Sequence, residues 1–126
     1  HGKDLNVLSD QMSDLSNSFG KEILIAETSY PFTLEWNDYT NNIVGLESQI
    51  ILPDYPSTEI GQANFFNEIY QRVLEVETGI GICYWGGELV AFDGPTSQNG
   101  SPWENQALFD FSLKSLPVLK EFNPQK

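Results

Sequence analysis

The chain has 126 residues, enough for one ordinary domain with a sizeable core. Its 18 Asp and Glu against 6 Lys and Arg leave a net charge of −12, which argues against nucleic acid and anionic membrane surfaces as partners. No run approaches the ~18 consecutive apolar residues of a membrane span, and the single Cys83 excludes an intrachain disulfide.

In chain order, Leu5, Leu8, Met12, Leu15 and Phe19 recur at steps of three and four and predict one helical stripe, with Gly20 as its left-handed stop. Ile23 to Ala26 is a short apolar run that predicts a strand buried on both faces, as in a parallel sheet. It ends in the carboxylate of Glu27, then Thr28, Ser29, Tyr30 and a ladder-breaking Pro31. A long stretch from Thr33 to Ser57, broken by Pro53 and Pro56, reads as a loop of a length that is usually functional or disordered. Thr58 predicts an N-cap, Phe65, Phe66, Ile69, Tyr70, Val73 and Leu74 an apolar helix face, and Gly79 the helix end. Ile80 to Trp85 predicts a second buried strand, followed by a Gly-rich loop from Gly86 to Gly100. Ser101-Pro102-Trp103-Glu104 combines an N-cap, a proline at the first helical position and a capping-box glutamate. A short last helix is expected around Leu116 to Phe122.

Alternating βα units imply parallel strands joined by crossover helices, hence an α/β fold. Two strands with three helices cannot cover both faces of such apolar strands, and a complete (β/α)8 barrel takes about 250 residues. The expectation is therefore a partial (β/α)8 TIM barrel, a helix followed by about the last two βα units. Residues 1–126 are then the C-terminal fragment of a single TIM-barrel catalytic domain. His1 is expected to be a processed, engineered or cleaved end. In such barrels catalytic groups stand at the carboxyl ends of the strands, which is where Glu27 falls. A neutral ligand suits the acidic surface, and three Trp, five Tyr and eight Phe supply stacking faces.

Four segments together resemble glycoside hydrolase family 53. They are Ala26-Glu-Thr-Ser-Tyr-Pro31, Gly61-Gln62 opening a helix, Gly81-Ile-Cys-Tyr-Trp85, and Trp103-Glu-Asn-Gln-Ala-Leu-Phe-Asp-Phe111. The members of that family are endo-β-1,4-galactanases that cut the galactan of type I arabinogalactan. His1-Gly2 is similar to the end of a motif that follows strand six in that family. The resemblance implies a retaining hydrolase with Glu27 as nucleophile at the end of strand seven. It also implies Trp85 as the aromatic floor under the sugar at the cleavage point, and Tyr30 beside the nucleophile as a substrate contact. Relatives continue Trp-Glu-Pro where this chain has Trp85-Gly-Gly-Glu88, a departure that bears on downstream sugar contacts.

Retaining glycosidases need two carboxyls about 5–5.5 Å apart. The family's acid/base glutamate lies in an Asn-Glu pair after strand four. The only such pair here, Asn67-Glu68, falls inside an amphipathic helix, so the second carboxylate is expected outside this chain. The expected partners are β-1,4-galactan and either the missing N-terminal barrel portion or another copy of the chain. The resemblance implies a secreted, periplasmic or cell-surface location, and no required cofactor.

Plainer readings stand beside these. Glu27 is alternatively an exposed glutamate at a strand end, and Trp85 a core tryptophan with its N–H satisfied. Trp103 and Phe109 read as packing residues, while Trp36 and Tyr39 are divided between sugar stacking and loop packing. Glu35, Asn37, Asp38, Thr40, Asn41 and Asn42 crowd one loop with the oxygen donors that calcium takes. Some bacterial relatives hold calcium there, but Tyr39 replaces their histidine ligand. Asx-turn chemistry is the favoured explanation, and no metal ligand is assigned. The competing functions are part of a galactanase, a non-catalytic carbohydrate-binding fragment, and an inert self-associating fragment.

Overall fold

The computed structural model describes residues 4–122, so the His1-Gly2 similarity lies outside the described residues. Helix α1 (Asn6–Phe19) leads into strand β1 (Ile23–Thr28), and helix α2 (Glu59–Leu74) leads into strand β2 (Gly79–Tyr84). Short 3-10 turns occupy Glu47–Gln49, Glu104–Gln106 and Pro117–Phe122. The strands pair in parallel, as the βα order requires.

Helix α1 stops where expected, with the Gly20 N–H donating to Ser16 O at 2.7 Å. Its apolar stripe is only half used. Leu5 and Met12 are buried, whereas Leu15 and Phe19 are exposed. Towards its end the helix is held by polar groups instead: Ser16 Oγ donates to Lys21 O and accepts from Thr78 Oγ1.

Helix α2 is the spine of the packing. It starts as predicted, with Thr58 Oγ1 accepting from the Gly61 N–H at 3.0 Å. Phe65 and Ile69 join Leu5, Tyr30 and Leu52 on one side, while Ala63 and Phe66 join Phe32, Leu116 and Val118 on the other. Each fully buried side chain of this kind contributes roughly 1.5–3 kcal/mol. Gly79 does not end the helix. The helix stops at Leu74, and Gly79 opens β2, where a Cβ would stand 2.1 Å from Val73 O. The glycine is needed for the chain to turn back against its own helix.

The two strands are not in simple register. Ile23 pairs with Gly79 and Leu24 with Gly81, so β2 carries an extra residue, Ile80, at its start. Ile25 pairs with Ile82 and Thr28 with Tyr84, so β1 carries the extra residue near its end. The two bulges compensate each other and restore the register. Ile23, Ile25 and Ile82 pack against the helical layer. Leu24, at 47% exposure, and Cys83 lie open, so the sheet is covered on one face only. The expectation of strands buried on both faces is not met among the described residues.

The Ser101-Pro102-Trp103-Glu104 segment does not begin an α-helix; a single 3-10 turn follows it. Glu104 is almost wholly buried, and its Oε1 accepts from the Asn37 and Asp38 N–H groups at 2.6 and 3.3 Å. Donors from a distant loop have displaced the local capping box. Further bonds join the same two loops: Tyr39 N–H to Ser97 O, Ile43 N–H to Pro102 O, and Asn105 Nδ2 to Thr33 O and Val44 O. The last helix is also a 3-10 segment, closing over Phe66 through Phe122.

Two predictions come from this packing. A Cβ at Gly61 would meet Pro56 O at 1.8 Å, a clash with backbone that no rotamer relieves. Gly61→Ala is expected to destabilise by about 3 kcal/mol, read from the denaturant midpoint. Burial raises the pKa of Glu104, the Asn37 and Asp38 N–H groups oppose the rise, and the charge of Asp38 adds to it. A carboxyl with a raised folded pKa favours folding below its unfolded pKa and loses that contribution as pH rises through the folded value. Glu104→Gln keeps the acceptor and removes the charge. Its melting temperature should exceed the parent's at pH 7, by about 3 °C for each ~1 kcal/mol, and the gap should close on acidification towards pH 4.5. A lower melting temperature at pH 7 would contradict this account.

Candidate active site

Strict alternation along β1 would set Glu27 on the helix-facing side with Ile23 and Ile25. The bulge between Ile25 and Thr28 prevents this: Ala26 and Glu27 are both exposed, and Thr28 is the residue turned inward. Glu27 thus stands free at the carboxyl end of β1. Next to it, the chain leaving β2 is tied across by the Trp85 N–H donating to Thr28 O at 2.8 Å. Glu27, Thr28, Ser29 and Trp85 together line an open cavity of about 270 Å³. A larger cavity of about 480 Å³, between Phe32, Thr58 and Phe111, lies at the start of α2 and does not include Glu27.

Trp85 is 45% exposed, so it is not a core tryptophan. Its ring meets Trp103 edge-on, with centroids 6.4 Å apart and planes at 85°. That contact fixes the tilt of Trp85 while leaving ring surface towards the cavity, and it gives Trp103 the packing role expected of it.

Tyr30 requires a correction. Expected as a substrate contact beside the nucleophile, it is 8% exposed and stacks on Phe65 with centroids 4.2 Å apart. Its hydroxyl donates to Tyr55 O at 2.6 Å. The ring is drawn into the core because α2 presents an aromatic partner there, and it does not line the cavity of Glu27 and Trp85. Burial also raises the pKa of its phenol, with Tyr55 adding to the rise.

Residues given no individual role in the sequence analysis hold this end of the sheet. Ser29 Oγ donates to Gln106 Oε1 at 2.9 Å, and the Tyr84 hydroxyl donates to Gln106 O at 2.8 Å. Gln62 is fully buried beneath both. Tyr84 and Gln106 both fall in segments that carry the family resemblance, but their bonding could not be read locally, because their partners lie 22 or more positions away.

No second carboxylate joins Glu27 in the lining of its cavity. Glu68 sits on α2 in an ion pair with Arg72 at 2.7 Å, engaged on the helix surface. Among the described residues no group of three or more His, Cys, Asp or Glu is arranged to hold a metal. Asp38 forms an Asx turn, its Oδ1 accepting from the Thr40 N–H at 2.6 Å. Asp38 Oδ2, Asn42 Oδ1 and Glu104 Oε2 have no hydrogen-bond partner. They are the hard oxygen donors a calcium ion takes, but three fall short of its usual six to eight. Trp36 and Tyr39 face solvent on the same loop.

The chain is 32% identical over 109 residues to an arabinogalactan endo-β-1,4-galactanase of Cellvibrio japonicus, covering 86% of this chain and 28% of that protein. It is 28% identical over 155 residues to an endo-β-1,4-galactanase of Bacillus subtilis, covering 97% and 35%. The solved GH53 catalytic domain of Ignisphaera aggregans superposes with a TM-score of 0.85 at 34% identity, over 94% of this chain and 34% of that one. A fungal β-1,4-galactanase structure, at 22% identity and a TM-score of 0.62, shares the fold. The chain spans about a third of the length of these relatives, and its α/β architecture is part of their barrel. The description "Glycosyl hydrolase family 53" matches residues 1–122, and the chain belongs to that family.

Proposed function

We propose that residues 1–126 form the C-terminal part of a single (β/α)8 catalytic domain of a retaining endo-β-1,4-galactanase, acting on the β-1,4-galactan of type I arabinogalactan. The observation that supports this most is the shared cavity of Glu27 and Trp85 at the carboxyl end of two parallel strands. Glu27 is the nucleophile. Its carboxylate attacks the anomeric carbon as the glycosidic C–O bond breaks, and the leaving oxygen takes a proton from an acid/base carboxyl. Water then attacks the glycosyl ester, gives its proton back to that carboxylate, and frees Glu27. Trp85 supplies an apolar face beneath the sugar ring as positive charge develops on it. The acid/base carboxyl comes from the upstream barrel portion, which also covers the open sheet face around Leu24 and Cys83. The reading needs no cofactor, and the domain works outside the cytoplasm, as a secreted, periplasmic or cell-surface enzyme. A carbohydrate-binding module would need the aromatic face but not a carboxylate freed by a bulge beside it.

Two measurements test this. The 126-residue chain alone should not hydrolyse β-1,4-galactan, because protonation of the leaving group is missing. Clear turnover by the purified chain would overturn the proposal. In the complete barrel, Glu27→Gln should reduce kcat by about 10³-fold or more while galactan binding persists, since the amide cannot form the ester. Trp85→Ala should instead weaken binding and turnover together, each by roughly ten-fold. Near-normal kcat for Glu27→Gln would remove Glu27 from the chemistry.

A further inference from the structure

Tyr84 and Gln62 occupy a buried junction that touches both walls of the Glu27 cavity without lining it. The Gln62 side chain, fully buried in the first turns of α2, points its Nε2 at Tyr30 O at 2.9 Å, Ala107 O at 3.0 Å and the Tyr84 hydroxyl at 3.1 Å. All three neighbours can accept, so the amide orientation is set by them: a reversed amide would aim its oxygen at two carbonyls. The Tyr84 hydroxyl accepts from the Tyr30 N–H at 3.2 Å and donates to Gln106 O at 2.8 Å. Burial pushes its pKa up to about 12, against the opposing hydrogen bonds with Tyr30 and Gln62.

The chain connectivity turns this junction into a tether. Tyr30 lies three residues after Glu27, and Trp85 is the next residue after Tyr84. Trp85 N–H in turn binds Thr28 O, next to Glu27. One hydroxyl therefore links the segment that carries the carboxylate to the segment that carries the aromatic face. On the strand itself the bulge has removed ladder regularity between Ile25 and Thr28, so the ladder alone cannot hold Glu27 in place.

We infer that Tyr84 and Gln62 are positioning residues for hydrolysis, fixing Glu27 relative to Trp85 through the Tyr30 backbone. The inference rests on Glu27 being the nucleophile. Without the hydroxyl, the Tyr30 N–H and Gln106 carbonyl lose a partner while the Tyr84 ring can still pack against Phe66 and Phe122. The fold is kept and the alignment is loosened. A displacement on the order of 1 Å at a reacting group costs about 10²-fold in rate.

The test uses the complete barrel and a probe that reports on the nucleophile alone, 2-deoxy-2-fluoro-β-galactobiosyl fluoride. The nucleophile's carboxylate forms an ester to C1 as the C1–F bond breaks and fluoride leaves, so no acid is required. The labelled peptide is identified by mass. In the unaltered enzyme the label should fall on Glu27. In Tyr84→Phe the first-order labelling rate should drop by about ten- to a hundred-fold, with the half-saturating probe concentration changed less than about three-fold. Gln62→Met, which pulls on the same tether from α2, should slow labelling in the same sense. Val76→Ala, a core change in the separate cluster of Met12, Val73 and Val76, serves as the control for mere loss of stability and should label at the parent rate. Rates are compared at equal folded fraction from thermal melts. Tyr84→Phe or Gln62→Met labelling at the parent rate overturns the positioning role, as does equal slowing in Val76→Ala. Label absent from Glu27 in the unaltered enzyme is a different result: it overturns the nucleophile assignment and this inference with it.

Discussion

The pairing of β1 with β2 is the constraint on which the rest of the molecule depends. Two parallel strands with one bulge each end in register, and the bulge in β1 breaks the alternation of faces after Ile25, so that Ala26 and Glu27 are both exposed. Ile80 is turned out at one end, and Glu27 is freed at the other. Without the second bulge the carboxylate would be aimed at the apolar layer of Ile23, Ile25 and Ile82, where desolvation would disfavour its charge. The bulge delivers a carboxylate to an open cavity at the cost of a weaker ladder. Beyond the bulge the chain is held by side-chain bonds from Tyr84 and Gln62 to the Tyr30 backbone and by the Trp85 N–H on Thr28 O.

A second layer of polar contacts sits above this end of the sheet. The two long loops hold each other through Glu104, Asn105, Thr40 and backbone groups, and several of these atoms are wholly buried. Buried polar groups cost little when paired and about 1–3 kcal/mol when left alone. Glu104 and Asn105 each satisfy one end and leave an oxygen unpaired. The loops thus specify a conformation more than they add stability. The benefit is geometric: Trp103, carried on this clasp, sets the tilt of Trp85.

The apolar layer on the other side of the sheet is built almost entirely by α2, with α1 contributing less than its stripe suggested. Leu15, Phe19, Leu24 and Ile80 remain exposed. A parallel sheet is ordinarily covered on both faces, and a third of a barrel has only one of its two layers. The exposed apolar positions accord with a chain that spans about a third of the length of its relatives.

Local signals in the sequence determined the elements wherever a single residue or period governed the choice. The α1 and α2 periodicities, the Gly20 stop, the Thr58 cap and the Ile23 and Ile80 apolar runs all act within a few residues, so they could be read directly. The placement of Glu27 at the end of a parallel strand was legible for the same reason. Tertiary structure decided the rest. Glu104 left its capping box and instead accepts from the distant Asn37 and Asp38 N–H groups with its buried carboxylate. Gly79 served a close approach to Val73 O instead of a helix stop. Tyr30 turned into the core because Phe65 offered a stacking partner 35 positions away. The bulge that frees Glu27 depends on how one strand lies against another. No local pattern encodes it, since a period of two along β1 alone predicts the opposite face.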